Sequence, residues 1–246
     1  VAEVGVRMEV LLKIFPRDWF NRGALSDTPE GRRLEKYRGL VKKNHFRQKD
    51  EYRISDLRFV VLDTETTGFK PNDGDELLSV GAVVIKGSSI KEEQFNRLVN
   101  PHRTIPPLIT DLTGISDEMV ADADDFCEVI EDFLQFLGDS VIVGHCVDFD
   151  LNFLNIKLKP YNIAINNYFM DVVIFSKIFN TDLRCHTLDD MLKYLCMEPK
   201  GRHTAIGDAI LTADIFMGFL QRLEKLNINT LWDLRSFIRH SMLYIS

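Results

Sequence analysis

Two carboxylates separated by one residue, Asp63 and Glu65, follow the apolar run Phe59-Val60-Val61-Leu62 and precede Thr66-Thr67-Gly68. Four consecutive apolar residues predict a central strand covered on both faces. Side chains alternate along a strand, so Asp63 and Glu65 share a face. Two like charges a few ångströms apart at the end of a dry strand are costly unless a cation sits between them. The segment therefore fits a divalent-metal site. It also fits a solvent-exposed turn that Asp63 opens and Gly68 closes.

Two further segments place acids where elements begin. In Gly144-His145-Cys146-Val147-Asp148-Phe149-Asp150 a short strand ends and a helix starts with two acids. Capping and the helix macrodipole explain one of them, most simply Asp148, and do not require both. In His203-Thr204-Ala205-Ile206-Gly207-Asp208-Ala209 the acid lies among small and apolar residues, where a helix faces a core and an unpaired carboxylate is expensive. Residues five apart on one helix lie roughly 140° apart. His203 is thus expected in the loop before that helix, free to swing towards Asp208, although a lone histidine at such a place is also an ordinary cap or surface residue.

The elements that must position these groups follow from periodicity. Leu77 to Ile85 and Ile90 to Val99 predict two strands joined as a hairpin at Gly87-Ser88. A proline-marked connection follows at Pro101, Pro106 and Pro107. A helix is expected over residues 121–137, with an apolar stripe through Phe126, Val129, Ile130, Phe133, Leu134 and Leu137. Val141-Ile142-Val143 and Tyr168-Phe169-Met170 predict short strands. Helices are expected at residues 149–158, 172–179, 188–196 and 205–226. A hairpin on a central strand, then alternating helices and strands, predicts an α/β domain with a mixed sheet.

Before this body, Val4, Met8, Leu11, Leu12 and Phe15 recur at helical spacing up to Pro16. A second helix has Thr28 as N-cap, Pro29 in its first turn and an apolar stripe of Leu34, Tyr37 and Val41. Both are too short to stand alone and must dock on the body or on another protein. The run Lys42-Lys43-Asn44-His45-Phe46-Arg47-Gln48-Lys49 suits either a phosphate contact or a solvated linker.

The 246 residues suffice for one substantial core with an appendage. No apolar run of about 18 residues marks a membrane span, and the apolar start is interrupted by Arg7, Glu9 and Lys13, so neither a span nor a secretory signal is expected. Four cysteines, at 127, 146, 185 and 196, form no CxxC pair and fit reduced thiols in a cytoplasmic protein, with no zinc and no redox role. The net charge is −7, unevenly spread: residues 1–56 carry 13 Lys+Arg against 9 Asp+Glu, and residues 57–246 carry 17 against 28. A basic leader thus precedes an acidic body, a weak pointer to a polyanion or an acidic partner for the leader.

The order and spacing of the three acidic segments resemble the DEDD exonuclease superfamily in its histidine branch, the group of the proofreading epsilon subunit of bacterial DNA polymerase III and of ribonuclease T. The resemblance covers residues 57–226. It rests on Asp63-Thr64-Glu65-Thr66-Thr67-Gly68, on His145 through Asp150 to Leu154, and on His203 through Asp208 to Ala213. Leu112-Thr113-Gly114-Ile115 and Thr187-Leu188-Asp189-Asp190-Met191-Leu192 support it. Histidine five residues before the last aspartate separates this branch from one with tyrosine at four; position 204 here is threonine.

The resemblance implies a ribonuclease-H-like α/β fold, a mixed five-stranded sheet flanked by helices. Its domains would be a helical N-terminal extension at 1–56, the exonuclease domain at 57–226 and a helical tail at 227–246. It implies that Asp63, Glu65, Asp150 and Asp208 hold two Mg²⁺ or Mn²⁺ ions, with His203 as general base. Thr66, His145 and Phe149 would hold the terminal nucleotide, with Leu112 as a further apolar contact. Hard oxygen ligands suit those ions, and two such ions neutralise the charge of phosphodiester hydrolysis. Cys146 departs from the asparagine that many members carry there. The function implied is a 3′-to-5′ exonuclease on single-stranded DNA ends, releasing nucleoside 5′-monophosphates. RNA ends, a small-nucleotide phosphatase and a non-catalytic scaffold are the alternatives. The N-terminal extension could meet a DNA polymerase or another protein, a stand-alone enzyme is equally compatible, and no membrane partner is expected.

Overall fold

The structure, a computed structural model, describes residues 27–37, 51–87 and 89–244. The helix expected up to Phe15 and the basic run at 42–49 lie outside the described residues. Five strands form one sheet: β1 (Arg58–Thr66), β2 (Leu77–Lys86), β3 (Ser89–Leu98), β4 (Val141–Gly144) and β5 (Phe169–Asp171), in the order β3-β2-β1-β4-β5. β2 and β3 form the expected hairpin. β1 runs antiparallel to β2 and parallel to β4, so the sheet is mixed. Phe59 to Leu62 are buried on both faces, as their unbroken apolar run predicts. The strand does not end where the charge begins: it continues through Asp63 and Glu65 to Thr66, with a register irregularity after Glu65.

The helices are α1 (Pro29–Leu34), α2 (Pro107–Thr113), α3 (Asp117–Val120), α4 (Phe126–Leu137), α5 (Asp148–Leu158), α6 (Val172–Phe179), α7 (Leu188–Tyr194), α8 (Ala205–Lys225) and α9 (Leu231–Met242). Thr28 caps α1 as expected, accepting a bond from the Gly31 amide at 3.1 Å. The proline-marked connection contains two helices, α2 and α3, where only a connection was expected, and α4 begins at Phe126 rather than at 121. Prolines at the first helical position favour a helix start as readily as they break one, and both helices are too short to show periodicity.

Alternation along β1 assigns its side chains to two cores. Val60 and Leu62 pack with α4 and α5, and Leu34 and Tyr37 beside α1 join that cluster. Phe59 and Val61 pack on the other face with α6, α7, α8 and α9 through Phe175, Met191, Phe216, Phe219 and Leu234. By the same alternation Asp63 and Glu65 belong to the α8 face and Thr64 to the α5 face. Residues before β1 also pair with the start of α9, where the Ile54 amide donates to the Asn229 carbonyl at 2.8 Å.

The start of α8 is pressed onto the sheet. A Cβ at Gly81 of β2 would lie 2.2 Å from the backbone of Ala205 and Ile206, so the contact is backbone on backbone. Gly81 is the register partner of Asp63, which brings the first turn of α8, and Asp208 in it, to the acidic part of β1. Gly207 plays the reciprocal part: a Cβ there would lie 1.8 Å from the Gly201 carbonyl oxygen, fixing the loop that carries Arg202 and His203.

Gly81→Ala cannot be accommodated without moving α8. We expect a loss of about 2 kcal/mol and a melting temperature lower by about 4–8 °C, checked by thermal denaturation against wild type. A melting temperature unchanged within a degree would mean that the contact is not close.

Candidate active site

Three of the four expected metal carboxylates converge. Ligand oxygens of Asp63, Glu65 and Asp208 lie within 4.8 Å of one another, drawn from β1 and from the first turn of α8. Asp208 is buried at 6% exposure, and its Oδ1 has no hydrogen-bond partner among the described residues. Its Oδ2 accepts a bond from Nη1 of Arg202, whose Nε donates to Asp189 Oδ1 at 2.7 Å. Arg202 therefore bridges α7 and α8 beside the acidic cluster. Sequence reasoning named Asp189 only as part of a supporting segment and did not select Arg202 at all. The adjoining acid-rich start of α7 and the lone arginine beside His203 were the available signals.

Asp150 reaches the site from the opposite face. It is 4% exposed in the first turn of α5, and its Oδ1 accepts a 2.5 Å bond from the Thr64 hydroxyl. It lies outside the tight group of three, yet its charge raises the pKa of both Asp63 and Glu65. Asp148 is exposed in the same turn, and Val147 takes the N-cap position without a side-chain bond. The macrodipole accounts for Asp148; a capping bond does not.

Electrostatics at this cluster favour protons or cations. Burial, and then the charges of Asp150, Asp208 and Glu65, push Asp63 well above the usual carboxylate range. Glu65 is pushed up to about 7 by burial and then by Asp208 and Asp150. Asp150 is pushed up to about 7 by burial, against the Thr64 hydrogen bond, which lowers it. A divalent cation fits here on two observations: one member of the group, Asp208, has a buried oxygen with no partner among the described residues, and every donor is a hard oxygen.

The other expected residues surround this centre. His203 sits before the N-cap Thr204 of α8, partly buried, with φ +62° in the left-handed region. It is in the loop, as the 140° separation requires. Thr66 is buried, and its hydroxyl donates to the Gly68 carbonyl at 2.7 Å, which shapes the turn after β1. His145 holds the His186 carbonyl through Nε2 at 2.9 Å. Cys146 has φ +54°, and its amide donates to Asp171 Oδ1 at 3.2 Å.

Phe149 lies edge-on to Phe69, with ring centroids 5.7 Å apart. Phe69 is 77% exposed and was not singled out from the sequence, although it directly follows Gly68. Leu112 is exposed on α2. That helix packs through Ile109 near Leu78, next to the register partner of Thr66, at the same end of the sheet.

Residues 60–216 match the RNase_T family model, described as an exonuclease. A PolC-type DNA polymerase III of Caldanaerobacter subterraneus subsp. tengcongensis is 36% identical over 180 residues, covering 73% of this chain and 13% of that protein. A DNA polymerase III subunit epsilon-like protein of Rhodobacter capsulatus is 37% identical over 180 residues, covering 72% of this chain and 26% of that protein. The chain thus spans a small part of the length of these relatives. In fold it is similar to the nuclease domain of 3′hExo, a DEDDh family member, bound to rAMP, with TM-score 0.60, 20% identity, and coverage of 70% of this chain and 94% of that one. It is also similar to E. coli exonuclease I in complex with a dT13 oligonucleotide, with TM-score 0.57, 18% identity, and coverage of 70% and 42%.

Raised carboxylate pKa values set the sign of a pH effect. Without a cation, the folded state holds protons on Glu65 and Asp150 that the unfolded chain releases near pH 4, so their contribution to stability is full below pH 4 and is lost as pH rises through about 7. A cation replaces those protons. The rise in melting temperature produced by Mn²⁺ over EDTA should therefore grow from pH 5.5 to pH 8, and calorimetry in buffers of different ionisation enthalpy should register proton release on binding. A rise independent of pH would contradict the assignment.

Proposed function

Because the chain belongs to the RNase_T exonuclease family, we propose that it is a 3′-to-5′ exonuclease acting on single-stranded DNA ends, releasing nucleoside 5′-monophosphates, in a proofreading role. The observation that carries the reaction is the convergence of Asp63, Glu65 and Asp208 with the unpartnered buried Oδ1 of Asp208. The DNA assignment and the proofreading role are supported by relatives that are DNA polymerase III proteins.

In this mechanism Asp63, Glu65, Asp208 and Asp150 would hold two Mg²⁺ or Mn²⁺ ions. When bound, such ions neutralise the scissile phosphate and polarise water beside it. Asp150 would contribute from the α5 side, with its Oδ1 held by the Thr64 hydroxyl. His203 accepts the proton of the attacking water, the general-base role for which a positioned imidazole is suited. Its place in the loop before α8 lets it approach the reacting phosphate without competing for a metal position. Phe149 and Leu112, with Phe69, offer apolar faces to the terminal bases, while Thr66 and His145 hold the turn and the loop around them. Stacking and apolar contact are tolerant of sequence, so base preference is slight.

Residues 57–226 are the catalytic unit in this proposal, with 1–56 as an extension that meets a polymerase or another protein, and 227–246 as a supporting tail. Packing of Leu34 and Tyr37 into the core beside α4 gives part of the extension a structural role as well.

The test is digestion of matched 5′-labelled DNA and RNA single strands with Mg²⁺, Mn²⁺ or EDTA. We expect a metal-dependent descending ladder, faster on DNA, that disappears with Asp63→Ala. His203→Ala should lower turnover by about 10²- to 10⁴-fold while leaving Mn²⁺ affinity near wild type. A faster RNA ladder would reassign the substrate, and no ladder on either strand would remove the exonuclease proposal.

A further inference from the structure

Asp208 presents its two oxygens to different surroundings. Oδ2 is bonded to the Arg202 guanidinium, Oδ1 is buried without a hydrogen-bond partner among the described residues, and one oxygen of this carboxylate lies within 4.8 Å of oxygens of Asp63 and Glu65. The arginine is itself largely buried, its side chain 16% exposed, and is fixed at its other edge by Asp189. A guanidinium does not deprotonate in proteins, so the donor to Oδ2 keeps its charge. The fork is also geometrically specific: Nε goes to α7 and Nη1 to α8, a pair of directed bonds that a lysine ammonium cannot reproduce from one stem.

We propose that Arg202 is a positioning residue that sets cation specificity: by holding Oδ2 it limits Asp208 to ligation through one oxygen, and so disfavours Ca²⁺ relative to Mg²⁺ and Mn²⁺. This rests on the metal-dependent function proposed above. Ca²⁺ takes six to eight oxygens at 2.3–2.6 Å and commonly uses carboxylates in bidentate fashion, whereas Mg²⁺ requires near-octahedral single-oxygen contacts at 2.0–2.1 Å. With Oδ2 blocked, the site lacks one of the oxygens that a larger ion would use.

The position of Arg202 makes this a property of the fold. The Gly201 carbonyl lies against Gly207, so the loop carrying Arg202 cannot drift from the first turn of α8 without opening that contact. Thr204 closes the loop from the other side, its hydroxyl donating to Gly201 and accepting from the Gly207 amide at 3.1 Å. Arg202 is therefore aimed at Asp208 by backbone packing, and Asp189 sets the tilt of the guanidinium plane.

The experiment is calorimetric titration of MgCl₂ and of CaCl₂ into the full chain, wild type and variants, with circular dichroism to verify folding. Arg202→Met removes the donor to Oδ2, and the ratio of Ca²⁺ to Mg²⁺ affinity should rise about tenfold, the equilibrium equivalent of about one charge-assisted contact. Arg202→Lys keeps the charge without the fork and should raise the ratio in the same direction. Equal changes in both affinities in Arg202→Met, or a wild-type ratio in Arg202→Lys, would reduce the residue to a charge and overturn the proposal. If Arg202→Met fails to fold, Asp189→Ala carries the test, because the Asp189 side chain is 62% exposed and its removal takes away the acceptor that holds Nε of the guanidinium; an unchanged ratio there overturns the proposal as well. Wild type that takes up neither ion would instead remove the metal-dependent function itself.

Discussion

The close approach of α8 to β2, backbone against backbone at Gly81, is the constraint on which the site depends. It brings a carboxylate from a helix to within 4.8 Å of two from a strand, against their mutual repulsion. The opposing force is apolar. Leu211, Ile215, Phe216, Phe219 and Leu223 of α8 are buried on the sheet and its neighbouring helices, with Phe216 edge-on to Phe59 at 5.3 Å. Each such side chain contributes about 1.5–3 kcal/mol on burial, set against the several kcal/mol expected for each desolvated charge. Protonation and Arg202 reduce the penalty further. The helix is held by its later turns so that its first turn can carry the charge.

Strand alternation explains why the fourth acid stands apart. Asp63 and Glu65 face α8, Thr64 between them faces α5, and Asp150 lies on α5. Its bond to Thr64 is thus the contact that the opposite face of the strand provides. Three acids group on one side and Asp150 is held on the other, close enough for its charge to raise both Asp63 and Glu65.

This division was partly legible in the sequence. Period-two alternation put Asp63 and Glu65 on one face, an unbroken apolar run put their strand at the centre of the sheet, and the small apolar neighbours of Asp208 marked it as a buried acid. The same period also put Thr64 on the other face, but its meaning depended on which helix covered that face, a tertiary fact. Arg202 was illegible for a similar reason. Its partners lie six residues ahead on α8 and thirteen behind on α7, a loop arrangement with no period to detect. The helices α2 and α3 were lost in a proline-rich connection because a turn or two of helix leaves no stripe. The metal group could be proposed from residue types; the direction of its individual oxygens could not.

Charge bears on how such a body meets an anionic polymer. Residues 57–246 carry an excess of acids, the cluster among them, so the net charge of this body does not draw a nucleic acid in. Under the proposed function, attraction has to be local and short-range. Bound cations invert the field at the carboxylates, and the surfaces beside them are apolar: Phe69 is 77% exposed against Phe149, and Leu112 is 47% exposed on α2. Exposed aromatic and aliphatic side chains gain nothing from phosphate and something from unstacked bases. A duplex keeps its bases stacked and presents only its backbone, which the acidic body repels. A single-stranded end presents both a base to the apolar faces and one phosphate to the metal position, so the same acidity that weakens general binding favours the terminus over the interior of the strand.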